Sequence, residues 1–352
     1  MLVNPRGAEI LRLRSHIIHY LRNFLVDAGF LDVATPIIAG RVGGATARPF
    51  ITSASEFPNK ELKLRIAPEL WLKRLVLAGF DRVFEIGPSF RNEGIDATHN
   101  PEFTTCEFYQ SFADIEELIE LTQNLLRGLD RRVMELKDGH CRSLPQLHID
   151  FSQPFKRLEF VPAIEAAIGR ALPNLSAPDA TFSLQSLFGD MGLPLPASPT
   201  LPRLLDKLSA TYIEPQCNTP TFVTHHPECL APLAKSYLHN GVGQRVSARI
   251  ELFVQHHELA NAYEEENSPL DQRRKFVEQL NYREEDDPSS TVDETYLDAL
   301  EWALPPTGGW GCGVDRLVML FSGATRIADV LSFGTMRNVV ALGSQAPSRA
   351  DM

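Results

Sequence analysis

The stretch that most constrains the fold is Arg82–Tyr109, which has the pattern of two strands joined by a loop. β-Branched and aromatic residues predict a strand at each end, and the turn formers of residues 94–102 predict the loop between them. Alternation with period two places Arg91 and Glu93 on one face of the first strand. On the second strand, the same alternation predicts a shared face for Phe103, Glu107 and Tyr109.

A charged and aromatic face within a hairpin is costly to bury unless a charged ligand lies on it. The alternative is an edge hairpin whose charges face water. The order of the residues favours a ligand site. The run F-R-N-E-G, a short loop, H-N-P-E-F-T and E-x-Y resembles motif 2 of the class II aminoacyl-tRNA synthetases, in the form found in lysyl-tRNA synthetases.

Five further segments resemble the same family. A helix predicted from the apolar spacing of residues 10–24, followed by F-L-D-V-A-T-P, is similar to motif 1, the dimerisation element. Residues 43–50, G-G-A-T-A-R-P-F, and the later R-I-A-P-E-L resemble substrate-binding segments, with Glu69 where a strand turns into a helix. The run E-L-A-N-A-Y-E-E-E-N resembles the lysine-pocket strand. The glycine-dense run before Arg316 resembles motif 3.

The resemblance implies a fold and a division of the chain. We expect an α/β class II synthetase core, with a mainly antiparallel sheet of about six strands flanked by helices. Residues 1–137 would carry motifs 1 and 2, 138–219 a helical insertion with a packing role, and 220–352 the lysine-pocket hairpin and motif 3. The helix from Ile10 and the segment to Pro36 would bury the interface of a homodimer.

Composition sets limits on partners and compartment. With 352 residues and a net charge of −11, the chain is large enough for a sizeable core and lacks a generally basic coat for nucleic acid. Its five scattered cysteines favour reduced thiols, and it has no apolar run long enough to span a bilayer. Because M-L-V-N-P-R-G also lacks the apolar core of a signal peptide, we expect the cytoplasm or the mitochondrial matrix.

The resemblance also implies roles for individual residues. Arg91 and Arg316 would be catalytic, Arg91 on the α-phosphate and Arg316 against adenine. ATP would be bound by Arg91, Glu93, His99, Asn100, Phe103 and Arg316. Lysine would be bound by Gly44, Glu69, Glu107, Tyr109, Asn261, Tyr263 and Glu265. Mg²⁺ would be held by Glu251 and Glu258, although strict alternation places Glu258 on the face opposite Asn261 unless a bulge intervenes.

The implied reaction is ATP-dependent activation of L-lysine to lysyl-adenylate and transfer to tRNA(Lys). The sequence begins about where the N-terminal OB-fold that reads the anticodon in this family would end, so it represents either a free-standing catalytic core or part of a longer chain. Without that domain it offers no surface that would read an anticodon. We therefore expect slow, anticodon-insensitive aminoacylation through the acceptor stem. Two alternatives remain: a free-standing ligase that transfers lysine or an analogue to a protein or small amine, and a non-catalytic paralogue that binds lysine or ATP. Departures from the family pattern at the pocket strand and motif 3 bear on fine specificity: Ala260, Glu264, Ser268, Trp310 and Cys312.

Overall fold

The structure is a computed structural model that describes residues 5–40, 47–282 and 292–344. Within these ranges the helices are α1 Pro5–Asp27, α2 Glu69–Leu77, α3 Ile115–Gly139, α4 Phe160–Ile168, α5 Ala180–Met191, α6 Leu201–Tyr212, α7 Pro269–Leu280, α8 Glu294–Leu300, α9 Val314–Ser322 and α10 Met336–Ser344. The strands are β1 Leu31–Asp32, β2 Ile38–Ala39, β3 Ile51–Thr52, β4 Leu62–Leu64, β5 Arg82–Phe90, β6 Glu102–Ser111, β7 Lys156–Glu159, β8 Thr221–Thr224, β9 Ser236–His239, β10 Gln244–Ser247, β11 Arg249–Val254, β12 His257–Glu264 and β13 Thr307–Gly313.

A central sheet of eight strands in the order β1-β5-β6-β13-β12-β11-β8-β7 organises the chain. The six strands from β5 to β8 in this order pair antiparallel, whereas β1 and β7 add to the two edges in parallel. The predicted α/β class with a mainly antiparallel sheet is therefore confirmed, and the predicted six strands are its antiparallel part. Both predicted hairpins form, as β5–β6 and β11–β12.

The two faces of the sheet differ in chemistry because side chains alternate along each strand. One face carries apolar residues such as Phe84, Phe108 and Leu252, and it packs in one core with α1, α3 and α9. The opposite face carries the polar residues of the same strands. Shifting any strand by one residue would turn its apolar side chains to the polar face of the sheet. Burial of the apolar side chains therefore also fixes which polar side chains lie on the opposite face.

Helix α1 begins earlier than predicted and packs within the chain. Its buried residues recur at helical spacing: Ile10, Leu13, Ile17, Leu21 and Leu25. They belong to the core shared with α3 and α9, so this stripe is occupied by the chain itself. Phe24, which the apolar spacing included, is only partly buried. An interface with a second copy would have to use other residues of α1 and the segment after it.

The insertion has its own apolar core, formed by α4, α5 and α6 with residues such as Phe160, Leu184 and Leu204. Val223 and Phe253 of the central sheet also belong to this core. Strand β7 extends the central sheet by pairing with β8. The insertion is thus joined to the sheet by both packing and backbone hydrogen bonds. Its expected limits, 138 and 219, stay predictions.

No helix in the described ranges is long and apolar enough to cross a bilayer.

Candidate active site

A cavity of about 1050 Å³ opens on the polar face of the sheet. Most of the residues expected at the ATP and lysine sites line it: Glu69, Arg91, Glu93, His99, Asn100, Phe103, Glu107, Tyr109, Asn261, Tyr263 and Arg316. Glu258 lines it as well, whereas Glu251 and Glu265 lie outside its lining. Gly44 falls outside the described residues. The fold thus gathers residues from four separated segments around one cavity.

Strand β6 supplies one wall of the cavity through alternate residues. Phe103, Thr105, Glu107 and Tyr109 all line it, as the period-two pattern predicts. The next strand, β13, faces them with glycines: Gly309 pairs with Tyr109 and Gly311 with Glu107. A Cβ atom at Gly309 would lie 1.9 Å from Oε1 of Glu265 and 2.6 Å from Cε1 of Tyr109. Because these positions of β13 are glycines, the space beside the strand is free for the side chains of Glu107 and Glu265.

A lysine that the sequence reading missed, Lys73 of α2, is buried behind this wall. Its Nζ lies 2.6 Å from Oε1 of Glu69, one helical turn earlier, and it also forms an ion pair with Glu265. Burial alone would lower the pKa of Lys73, but Glu265 and Glu69 outweigh it and hold the pKa well above its ordinary value. Lys73 is therefore a permanent internal cation between two acidic residues of the expected lysine site.

The sequence did contain a signal for Lys73. The buried residues of α2 include Glu69, Leu72, Lys73 and Val76, which have the spacing i, i+3, i+4 and i+7 of one helix face. A lysine on the apolar side of such a stripe needs a buried acidic partner, and Glu69 lies four residues before it.

Glu107 is a buried acidic residue in the cavity wall. Its nearest hydroxyl is that of Tyr109, whose Oη donates to the Glu107 carboxylate at 3.4 Å. Burial, reinforced by the negative charge of Glu69, raises the pKa of Glu107 to about 8. A ligand ammonium placed here would stabilise the ionised carboxylate. The Glu107 carboxylate can therefore pair with a cation brought by a ligand.

The other half of the cavity is cationic and aromatic. The Arg91 guanidinium lies over the Phe103 ring at 5.1 Å, and Arg91 Nε donates to the backbone carbonyl of Ile66 at 3.4 Å. Arg316, in the first turn of α9, donates to His99 Nε2 at 3.1 Å and to the backbone carbonyl of Glu258 at 2.9 Å. Both guanidinium groups are thereby held at the cavity wall.

The loop between β5 and β6 is held by its own polar residues and by the C-terminal segment. Asp96 accepts hydrogen bonds from the backbone of Thr98 and His99 and contacts the His99 ring at 2.9 Å. Asn100 Nδ2 donates to the carbonyl of Glu102 at 2.7 Å, and its Oδ1 accepts from the backbone of Met336 at 3.0 Å. These contacts fix the loop that carries His99 and Asn100.

The two expected metal ligands lie on one face of the β11–β12 hairpin. The register places Leu252 opposite Ala260 but Phe253 opposite Glu258, so Leu259 is an extra residue in β12. This bulge turns Glu258 to the same face as Glu251 and Asn261. The bulge that the assignment of Glu258 required is therefore present, because β12 is not regular at Leu259.

Glu251 and Glu258 have unlike surroundings. His226 Nε2 donates to Glu251 Oε2 at 3.0 Å, and Arg249 forms an ion pair with its other oxygen. Burial opposes ionisation, but Arg249 and His226 outweigh it and lower the pKa of Glu251 to about 2. Burial, with the charge of Glu251 next, raises the pKa of Glu258. A cation between the two carboxylates would relieve their repulsion.

The insertion also contributes to the site, which no sequence pattern indicated. Asp206 and Arg203 of α6 line the cavity, so the insertion has more than the packing role expected of it. Burial, with the nearby charge of Glu251, raises the pKa of Asp206 to about 6.

Comparison with known proteins agrees with the fold. The model of the family described as tRNA synthetases class II (D, K and N) matches residues 1–337. The chain belongs to this family. It is similar to "Lysine--tRNA ligase cla4" of Cladosporium cladosporioides, with 41% identity over 98% of this chain and 58% of that protein.

Further relatives carry similar descriptions. "Lysine--tRNA ligase, mitochondrial" of Schizosaccharomyces pombe is 44% identical over 96% of this chain and 64% of its own length. "Lysine--tRNA ligase" of Enterococcus faecalis is 39% identical over 96% of this chain and 66% of its own length. The chain therefore spans about two thirds or less of these relatives.

Proposed function

We propose that the protein activates L-lysine with ATP to form lysyl-adenylate and transfers the lysyl group to tRNA(Lys). The observation that carries this proposal is a single cavity whose two halves differ in charge. Arg91 and Arg316 provide a cationic half suited to phosphate, and Glu107 and Glu69 provide an acidic half suited to ammonium groups. The descriptions of the relatives as lysine--tRNA ligases support lysine and tRNA as the substrates.

In the activation step, an oxygen of the lysine carboxylate attacks the α-phosphorus of ATP and pyrophosphate leaves. The chain need not form a covalent bond, so its contribution is to position the reactants and stabilise the developing charge. Arg91 is suited to the α-phosphate, because its planar guanidinium can donate to a phosphate oxygen and the attacking carboxylate together. We assign the adenine ring to the space between Phe103 and Arg316, with Glu93, His99 and Asn100 around the nucleotide.

The charge of the acidic half fits lysine rather than a neutral amino acid. Three carboxylates, those of Glu69, Glu107 and Glu265, face one internal cation, Lys73. Lys73 pairs with Glu69 and Glu265, whereas Glu107 is left without a cation and, with its pKa raised to about 8, would ionise fully when an ammonium group of lysine binds. We assign Glu107 and Glu265 to the ε-ammonium side and Glu69 to the α-ammonium side. Tyr109, Asn261 and Tyr263 would bound the pocket, with Gly44 near the α-amino group. A neutral analogue would leave carboxylates unpaired.

Glu251 and Glu258 suit Mg²⁺, since they present hard oxygen donors on one face of the hairpin. When bound, Mg²⁺ would neutralise negative charge on the phosphates of ATP. Arg249 and His226 keep Glu251 ionised and fixed in position, which is the state a metal ligand requires.

The assembly and the compartment are parts of the same proposal. We propose a homodimer formed through the exposed apolar residues of α1 and the segment after it: Leu11, Val26, Leu31, Ile37 and Ile38. The five cysteines are free thiols, as expected in the cytoplasm or the mitochondrial matrix.

Lysine-dependent exchange of pyrophosphate into ATP tests the activation step. Arg91→Ala should lower the exchange rate by about 100-fold or more, as is typical when a charge partner of the transition state is removed. Glu107→Gln should raise the KM for lysine far more than the KM for ATP. Arg157→Ala, which breaks an exposed ion pair with Glu116, serves as the control. Exchange that persists in Arg91→Ala would overturn the catalytic assignment.

The acceptor is tested separately with labelled lysine, ATP and either total tRNA or a nuclease-treated lysate. We expect label in the RNA fraction alone. Label on a protein or on a small amide would refute tRNA as the acceptor while leaving the activation step intact.

A further inference from the structure

A cluster of three side chains outside the cavity has the composition of a metal site. Glu159, His225 and His239 each offer one ligand atom, and these atoms lie within 4.8 Å of one another. Glu159 ends β7, His225 follows β8, and His239 ends β9. The tertiary fold assembles the cluster from three elements, so no short sequence motif reveals it. The two imidazole centroids are 4.6 Å apart.

The surroundings of the two histidines leave ring nitrogens available. His225 Nδ1 lies 3.0 Å from Thr224 Oγ1, so a hydrogen bond at Nδ1 leaves the lone pair of Nε2 free for a metal. His239 Nδ1 is shielded from solvent and has no hydrogen-bond partner among the described residues. Burial, with His239 next, lowers the pKa of His225, and a neutral imidazole is the form that binds metals.

The backbone at His225 supports a specific role for this residue. Its φ of +54° lies in the left-handed region, where non-glycine residues are uncommon. This conformation directs the chain from β8 into the segment that carries His226, which contacts Glu251. Glu159 forms no ion pair with an arginine or lysine within the described ranges, and the neighbouring Arg157 pairs with Glu116 instead. Its carboxylate is thus not committed to a cationic side chain.

We propose that Glu159, His225 and His239 form a site for a divalent transition metal, Zn²⁺ in the first instance. Two imidazole nitrogens and one carboxylate oxygen are a donor set that suits Zn²⁺ and is unlike the all-oxygen pair Glu251 and Glu258. Three protein ligands leave a fourth position for water. The bound ion joins the insertion, through β7, to β8 and to the β9–β10 hairpin. Because the unfolded chain has no such site, binding stabilises the folded state.

Calorimetric titration of chelator-treated protein with Zn²⁺ tests the site, with Mg²⁺ in excess to occupy the carboxylates in the cavity. We expect one Zn²⁺ bound per chain at this site. His225→Asn and His239→Gln should abolish that binding, and Glu159→Gln should weaken it by about tenfold or more. Asparagine is chosen at 225 because it tolerates the left-handed backbone. His148→Gln, at an exposed histidine of the insertion, is the matched control and should bind as the wild type does.

Two further measurements separate metal binding from a folding defect. Co²⁺ should give the visible absorption of a four-coordinate site in the wild type and in His148→Gln, but not in the variants at the three ligands. Zn²⁺ should raise the melting temperature by a few degrees in the same two proteins only. Metal-free variants that melt with the metal-free wild type would show that folding is intact. No Zn²⁺ binding by the wild type, or equal binding by wild type and ligand variants, would overturn the proposal.

Discussion

Replacing Lys73 with methionine should destabilise the protein more than any loss of an exposed ion pair. The Lys73 and Glu265 side chains are both fully buried, and Lys73 is also in contact with Glu69 at 2.6 Å. Methionine retains the length and apolar stem of lysine but leaves the two carboxylates without their cation. Breaking a buried pair by removing one partner costs about 3–5 kcal/mol of unfolding free energy. We expect a loss in this range for Lys73→Met.

Urea unfolding followed by far-UV circular dichroism measures this loss, with all variants at one protein concentration because association would shift the midpoint. Arg170→Met is the control. Arg170 lies 3.1 Å from Asp190, both side chains are exposed, and a pair of this kind contributes about 0–1 kcal/mol. The double variant Lys73→Met/Glu265→Gln should regain about 1–3 kcal/mol, because the second change removes a charge that the first left unpaired.

Two results would refute this reasoning. A loss below about 1 kcal/mol in Lys73→Met would show that the carboxylates do not depend on the buried cation. A double variant that is less stable than Lys73→Met would show that Glu265 contributes through packing or hydrogen bonds other than the ion pair.

Three further predictions concern the cavity itself. Gly309→Ala should cost about 1–3 kcal/mol in a denaturant titration and abolish lysine-dependent exchange, because its Cβ would lie 1.9 Å from Oε1 of Glu265. Lysine affinity should rise roughly tenfold between pH 6.5 and 8, because the Glu107 carboxyl, with its pKa of about 8, must lose its proton to bind an ammonium group. Calorimetry should show this proton being released. His226→Leu should raise the Mg²⁺ concentration for half-maximal exchange by about 10–100-fold without altering the KM for lysine, because leucine cannot donate the hydrogen bond that His226 gives to Glu251.

Each of these predictions has a control within the chain. Gly313→Ala lies on the same strand, where a Cβ would meet only Arg316 atoms at 3.8 Å, and should unfold as the wild type does. Glu107→Gln should bind lysine weakly at every pH. If the lysine affinity of this variant still rose between pH 6.5 and 8, Glu107 would not be the group that loses the proton. His256→Gln, at an exposed histidine of the β11–β12 turn, should leave the Mg²⁺ requirement unchanged.

Much of the fold could be predicted because the relevant signals are local. The alternation within 82–109 predicted β5, β6 and the cavity face of Phe103, Glu107 and Tyr109. Asp114 caps α3 and forms a capping box with Glu117, a signal that the run D-I-E-E displays in the sequence itself. These features depend on residues a few positions apart, so a single sequence displays them.

The features that sequence reading missed depend on register and on distant contacts. The single extra residue Leu259 reverses the side on which Glu258 lies, and nothing in H-E-L-A-N marks the bulge. Asp206 reaches the cavity from the insertion only because α6 packs beside the sheet. The cluster of Glu159 and His225 joins positions 66 residues apart in the chain. Local patterns carry no information about such contacts.

The glycines of β13 and Lys73 of α2 both allow acidic side chains to lie close together in a buried place. Strand β13 lies between β6 and β12, so the carboxylates of Glu107 and Glu265 approach each other across it. Any side chain at Gly309 would occupy that space, and glycine is the residue that keeps it open. Bringing carboxylates together in a buried place raises their pKa values unless a cation is close. Lys73 supplies one positive charge from the adjacent helix to Glu69 and Glu265, and under the proposed function an ammonium group of the substrate supplies the positive charge that Glu107 lacks.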